Sequence, residues 1–151
     1  MFKMNKKILI TGVSGQDGSY MADFLLENTG HEIYGMVRRS AKPDYSNLNN
    51  ALKNPRFQLI TGDLSDSQSI ENIVREVKPD YFINFAAQSF VGASWDLNKL
   101  TTEVNAVGPL NILNAIKQHS PDTKYYQAST SEMYGNSNGN MQNELTPFHP
   151  R

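Results

Sequence analysis

The chain has no cysteine in 151 residues, a single tryptophan, and no surplus of either charge, with 14 lysines and arginines against 15 aspartates and glutamates. Without cysteine there is no disulfide, thiolate metal ligand or cysteine nucleophile, a composition that fits a reducing compartment. A net charge of −1 supplies no field to draw the chain to nucleic acid or to an anionic bilayer. No apolar run approaches the ~20 residues of a membrane span. Too few apolar residues follow Lys3, Lys6 and Lys7 for a secretory signal, so these lysines read as a solvated flank. His31, His119 and His149 lie far apart without ligand spacing, and no metal site is expected. What remains is a soluble, cytoplasmic chain of about one domain, with small-molecule partners and neither nucleic acid nor membrane among them.

What is present is organised around glycine. The apolar run Ile8-Leu9-Ile10-Thr11 breaks into Gly12, Gly15 and Gly18, just before a helical pattern begins. This is the layout of a phosphate-binding turn. The glycines let the backbone bend and approach a pyrophosphate, and the next helix offers its free N–H groups and the positive end of its dipole. Glycines also punctuate ordinary loops; the strand before them and the helix after them favour nucleotide binding.

Strand-like and helix-like segments alternate from there on. Met21, Phe24 and Leu25 sit at helical spacing, with Gly30 placed to end that helix. Ile33–Val37 reads as a second strand, and the polar stretch Arg38–Pro55 as a loop with at most a short helix near Leu48–Leu52. Phe57–Thr61 is a third strand. Ile70, Ile73, Val74 and Val77 then mark one helical face, capped by Asp66 or Ser67 and closed by Pro79. Tyr81–Phe85 is a fourth strand, a longer helix spans about Leu97–His119, and Lys124–Ala128 is a fifth strand. Pro109 predicts a kink or restart in the long helix, at Gly108. The alternation predicts parallel βαβ units with right-handed crossovers. The fold class is therefore α/β, a doubly wound parallel sheet of Rossmann type that runs to about five strands, with ligands beyond the carboxyl ends of the strands.

The end of the second strand bears on the cofactor. Folds of this kind that use NAD place an acidic residue about 20 residues past the glycines, to hold the ribose 2′-hydroxyl. Here that place is held by Arg38, then Arg39 and Ser40. A basic doublet is ordinarily a solvated pair, but at a strand end beside the glycine turn it matches a 2′-phosphate and favours NADP. Asp63, in Gly62-Asp63-Leu64, could accept a hydrogen bond from an adenine amino group; alone it would read as a turn or cap residue.

Several stretches together resemble the extended short-chain dehydrogenase/reductases, the NAD-dependent epimerase/dehydratase family, and within them the GDP-mannose 4,6-dehydratases. They are Ile10 to Tyr20, Val37-Arg38-Arg39-Ser40, Gly62-Asp63-Leu64, Ala87-Gln88-Ser89, Gln127 to Gly135 (Gln-Ala-Ser-Thr-Ser-Glu-Met-Tyr-Gly), and Thr146-Pro147-Phe148. The resemblance covers essentially the whole chain. It implies NADP held as a prosthetic hydride shuttle. Gly12, Val13, Ser14, Gly15, Gln16, Asp17 and Gly18 would lie along the pyrophosphate, with Arg38, Arg39 and Ser40 at the 2′-phosphate. Asp63 and Leu64 would meet the adenine, and Phe85, Ala86, Ala87, Gln88 and Ser89 the riboses. Thr130 would hydrogen-bond the reacting sugar hydroxyl and Glu132 would act as general acid/base. The implied enzyme is a lyase that converts GDP-mannose to GDP-4-keto-6-deoxymannose for deoxyhexose synthesis, homo-oligomeric at full length. Outside that resemblance Glu132 would read as a solvated loop carboxylate, and Thr130 and Ser131 as hydroxyls that tie down a turn.

The sequence departs from the family pattern in places. Ala86 stands where glycine is usual, Leu100 where a cofactor-contacting tyrosine is usual, and Ala41–Leu52 shares little with relatives. The pattern also calls for Tyr-x-x-x-Lys after a Pro-Arg-Ser-Pro-Tyr segment, and the sequence given closes at Pro150-Arg151; neither Tyr126 nor Tyr134 has a lysine at that spacing. The expectation is that residues 1–151 are the N-terminal NADP-binding part, without the C-terminal substrate domain, and that they do not sustain hydride abstraction alone. Two other readings stand beside it. One is a related sugar-nucleotide epimerase or reductase, which needs no eliminating carboxyl. The other is a non-catalytic cofactor-binding module whose edge strand near Tyr125–Ala128 is open to pairing.

Overall fold

A computed structural model describes residues 5–135, 139 and 141–150, so Lys3 and Arg151 lie outside the described residues. Five strands, β1 (Lys7–Thr11), β2 (Glu32–Val37), β3 (Phe57–Thr61), β4 (Tyr81–Asn84) and β5 (Lys124–Gln127), pair in parallel in the order β3-β2-β1-β4-β5. Leu9 is opposite Tyr34 on one side and Phe82 on the other. The central strands are apolar because both sheet faces are covered. Successive side chains alternate between the faces and build two cores. Leu9 and Phe82 pack with Ile70, Ile73, Val74, Ile112 and Ile116. Ile8, Ile10, Ile33 and Phe57 pack on the opposite face with Ala22, Leu26, Leu48 and Ala51.

Helix α1 (Gln16–Asn28) covers the second of these faces and α2 (Ser67–Val77) the first. The Asp66 side chain caps α2 by accepting from Gln68 N at 3.1 Å and Ser69 N at 3.3 Å. Its predicted face is fully buried, each Ile or Val contributing roughly 1.5–3 kcal/mol. Lys78, at φ +48, makes the left-handed turn that ends α2 before Pro79. Gly30, by contrast, is not the stop of α1. The helix ends at Asn28, where Thr29 Oγ1 donates to Leu25 O at 2.6 Å. Arg56 donates to Leu26 O, to Thr29 O at 2.8 Å and to His31 O at 3.0 Å, so a cation from the start of β3 closes the helix.

The Arg38–Pro55 stretch holds two short 3₁₀ turns, Ser46–Leu48 and Ala51–Lys53, anchored by fully buried Leu48 and Ala51. After β4 comes a one-turn helix, α3 (Val91–Ser94), that the sequence pattern had not indicated. The long helix is continuous but changes pitch. An α segment, α4 (Asn98–Thr102), leads into a π segment over Glu103–Val107 and then into α5 (Gly108–His119). Pro109 has no N–H to give the Asn105 carbonyl, and the helix answers with a wider turn just before it instead of a break. At the amino ends of the strands, Lys6 Nζ meets Asp80 Oδ1 at 2.7 Å and the Lys7 N–H meets Oδ2 at 2.9 Å. These donors, Lys6 first, hold the Asp80 carboxyl below its usual range, and the carboxylate raises Lys6 in turn. Among the described residues no helix is long and apolar enough to cross a membrane.

Candidate functional site: a cleft at the switch point of the sheet

The chain leaves β1 toward β2 on one side, while β4 lies on the other, so the crevice between their carboxyl ends is open. Gly12 turns there at φ +65. A Cβ on Gly12 would lie 2.8 Å from Ala86 N and 2.9 Å from the Phe85 carbonyl carbon, so the turn and the end of β4 nearly touch. The Gly15 N–H closes the turn on Gly12 O at 3.0 Å. Helix α1 starts at Gln16 with Gly15 as N-cap, and no side chain caps its first turn. Its leading N–H groups are left for an anion.

These elements enclose a cleft of about 390 Å³. The turn contributes Gly12, Ser14 and Gly15; β2 and the residue after it contribute Met36, Val37 and Arg38; the β3 end contributes Gly62, Asp63 and Leu64. Phe85, Ala86, Ala87 and Ser89 come from the β4 end, and Val104 from the π segment. Most of the candidate cofactor residues therefore converge on one space, and the rest surround it. Val13 is buried in the core and Gly18 in the helix–strand contact, while Gln16 and Asp17 are exposed on the first turn of α1. Arg39 and Ser40 are exposed just beyond Arg38. Asp63 Oδ1 already accepts from Ser65 N at 3.0 Å and Ser65 Oγ at 2.8 Å, a local turn that fixes the carboxylate at the cleft edge. A second hollow of about 280 Å³, lined by Met21, Tyr81, Ile83, Lys124, Tyr125 and Tyr126, involves the strand starts and is nearly all apolar.

Gln88 does not line the cleft, but its backbone is held. Its N–H donates to Asn105 Oδ1 at 2.8 Å and its carbonyl accepts from Asn105 Nδ2 at 2.9 Å. The π segment thus clamps the loop that carries Phe85–Ser89, a contact between residues 17 apart that no local pattern reveals. Asn105→Ala removes both bonds. It is expected to speed amide exchange at Gln88 about 5–10-fold by NMR, with the central strands unchanged; an unaltered Gln88 rate would contradict the clamp.

Beneath the cleft a polar ladder, buried at Thr11 and Asn84 and reaching the surface at Gln127, joins three strand ends. Thr11 Oγ1 donates to Asn84 Oδ1 and accepts from Ala86 N at 3.3 Å, and Asn84 Nδ2 donates to Gln127 Oε1 at 2.8 Å. Tyr125 completes it through its hydroxyl to Gln127 Oε1; burial raises this phenol above its ordinary range, against the hydrogen bond from Asn84. The ladder fixes where β5 releases the chain. Ser129 then sits at φ +63, a left-handed conformation costing about 1–2 kcal/mol for a non-glycine residue. A 3₁₀ turn, Ser131–Tyr134, follows. Thr130 Oγ1 accepts from Glu132 N at 3.2 Å and so caps the turn, and both residues are exposed. Neither lines the cleft; they stand after β5, the neighbour of the cleft-forming β4.

A glycine turn, an uncapped helix start and a strand-end cleft at the switch point of a parallel sheet define a domain of Rossmann type, with its cleft where such sheets take their ligands. The chain belongs to the GDP-mannose 4,6-dehydratase family, whose model matches residues 9–151. It is 45% identical over 159 residues to human GDP-mannose 4,6 dehydratase, with 100% of this chain and 42% of that protein covered. It is 46% identical over 156 residues to GDP-mannose 4,6-dehydratase of Vibrio cholerae, with 98% and 42% covered. The chain thus spans about 42% of the length of these curated relatives and corresponds to their N-terminal part. Among solved structures, a Campylobacter jejuni UDP-Glc/GlcNAc 4-epimerase superposes with a TM-score of 0.85 at 26% identity, covering 97% of this chain and 44% of the other. A Thermus thermophilus UDP-glucose 4-epimerase in complex with NAD superposes with a TM-score of 0.79 at 30% identity, covering 95% and 44%.

Proposed function

We propose that this chain is the cofactor-binding part of an enzyme that converts GDP-mannose to GDP-4-keto-6-deoxymannose, and that it holds NADP in the strand-end cleft. The observation that carries this reading is the meeting of the Gly12 turn with Arg38 in one cleft, in a chain of this family. The residues fit a dinucleotide. A side chain at Gly12 would fill the narrow gap to β4, and the α1 start offers unclaimed N–H groups to a pyrophosphate. Arg38, with Arg39 and Ser40 beside it, matches a 2′-phosphate, whereas an acidic residue there would repel one. Asp63 and Leu64 would face the adenine, and Phe85–Ser89 the riboses.

When bound, the nicotinamide would supply a reversible hydride acceptor. The protein's own residues would do the remaining work. Thr130 would orient the sugar hydroxyl under oxidation. The Glu132 carboxylate would take the proton from C5 and return it to the C6 hydroxyl, which leaves as water. The Tyr-x-x-x-Lys pair of the family pattern is not among these 151 residues, so turnover is assigned to the complete gene product. Incubation of that product with GDP-mannose and NADP is expected to yield the 4-keto-6-deoxy sugar. The epimerase reading, favoured by the two superposed 4-epimerases, requires instead a 6-hydroxyl retained and one stereocentre inverted.

Calorimetric titration tests the cofactor assignment separately. NADP is expected to bind more tightly than NAD, and Arg38→Ala to weaken NADP about 10–100-fold while NAD changes little, the loss of one charge-assisted contact. Equal affinity of the unaltered chain for both dinucleotides would overturn it.

A further inference from the structure

The 3₁₀ turn that carries Glu132 contains no buried residue, so the hydrophobic core does not set its position. Its own bonds are few: Glu132 N–H to Thr130 Oγ1 at 3.2 Å, Met133 N–H to Thr130 O at 3.4 Å, and Gly135 N–H to Glu132 O at 3.1 Å. Against this turn lies the chain after residue 141. Asn143 and Thr146 close a small loop, with Asn143 N–H to Thr146 Oγ1 at 2.9 Å, Leu145 N–H to Asn143 Oδ1 at 2.9 Å and Thr146 N–H to Asn143 O at 3.0 Å. The loop sends Phe148 and His149 back to the turn. There the His149 N–H donates to Met133 O at 2.9 Å, and the Phe148 ring meets Tyr134 edge-on, centroids 5.3 Å apart at 75°. Among the described residues this is the only hydrogen bond by which residues 141–150 reach the rest of the domain. Gly135 makes the approach possible. It sits at φ +58, and a Cβ there would lie 1.9 Å from His149 O.

The geometry points to a strap: Phe148 and His149, seated through Gly135, fix the turn just after its acidic residue, and Gly135 and Phe148 are positioning residues for Glu132. This rests on the assignment of Glu132 as the acid/base. Every contact of the strap falls on Met133, Tyr134 or Gly135, the three residues that follow Glu132. Three local bonds and no buried residue would leave the exposed Glu132 carboxylate loosely placed. Proton transfer to and from carbon demands much closer placement, and misplacement by about 1 Å costs on the order of 100-fold.

The test uses the complete gene product with GDP-mannose and NADP. Gly135→Ala and Phe148→Ala are each expected to slow water elimination about 10–100-fold, with the rate of solvent deuterium entry at C5 falling in step. KM for GDP-mannose and affinity for NADP should stay within about twofold, and Phe148→Tyr, which keeps the ring contact, should restore the rate. Phe148→Ala removes only a largely exposed ring, so it decides the matter if the glycine variant does not fold. Wild-type elimination by Phe148→Ala, with Glu132→Gln inactive, overturns the strap and leaves the Glu132 assignment standing. Wild-type elimination by Glu132→Gln overturns that assignment itself. Loss of NADP affinity in parallel with the rate would make the strap a structural tie and overturn its positioning role.

Discussion

Gly18→Ala is expected to weaken dinucleotide binding by the chain about 100-fold or more and to lower its melting temperature by about 4–10 °C. A methyl group on Gly18 would lie 2.4 Å from Gly12 O, 2.7 Å from Val13 Cα and 2.9 Å from the Gly12 carbonyl carbon. All three atoms are backbone, so no change of rotamer relieves the clash, and α1 must move away from the turn by more than half an ångström. Overpacking of this kind costs about 1–3 kcal/mol in stability. The binding loss adds to it, because the displaced helix start is the part that would meet the pyrophosphate. Gly15→Ala supplies the comparison. Its added Cβ would lie 3.2 Å from Gly12 O, at a backbone conformation open to any residue, and a small shift accommodates it. Titration calorimetry and thermal melts of the two variants should rank them in that order. A Gly18→Ala chain that binds NADP like the parent would show that the third glycine is not needed for close helix–strand contact.

That glycine illustrates where the sequence was legible and where it was not. Its place after an apolar run announced a phosphate turn, yet only the packing shows that Gly18 serves the approach of α1 to the Gly12–Val13 turn and stays out of the cleft lining. β1 and β2 could be read because burial on both faces makes them short apolar runs. Helix α2 could be read because one stripe and one cap, Asp66, define it. Arg38 and Asp63 could be read because strand ends are where ligands lie in such sheets. Residues acting across long separations were hidden. Arg56 replaces Gly30 as the terminator of α1, Asn105 grips Gln88, and Asn47 Nδ2 reaches Ser14 O at 3.0 Å to brace the glycine turn. Met36, Val37, Gly62 and Val104 line the cleft because of where their backbones end up, and nothing in their chemistry marks them in advance. Pro109 signalled an irregularity correctly placed within a turn of Gly108, but a proline alone does not say whether a helix breaks or widens.

Glu132→Gln in the complete gene product is expected to reduce formation of GDP-4-keto-6-deoxymannose by about 10²–10⁴-fold, the usual contribution of a positioned general acid/base. The substitution keeps the shape of the side chain and its place on the exposed turn. The turn itself is held through backbone groups, the Thr130 hydroxyl and the Phe148 ring on Tyr134, none of which the change touches. Cofactor affinity, which the proposed function assigns to the cleft some elements away, should therefore persist. An amide can neither take the C5 proton nor deliver one to the departing hydroxyl. Oxidation at C4 should still occur, while exchange of the C5 hydrogen with solvent deuterium and loss of water should fail together. That coupled failure separates two roles the same atom position could play. A residue that only bound the sugar would raise KM and leave exchange at C5 intact once substrate was saturating. In an epimerase or reductase built on this domain, Glu132→Gln would leave turnover near the parent value, because neither reaction expels water from C6. Mass spectrometry of the sugar nucleotide recovered from deuterium oxide reads both quantities in one sample. Retained exchange with retained dehydration would remove Glu132 from the chemistry and return it to a solvated carboxylate near the start of a capped turn.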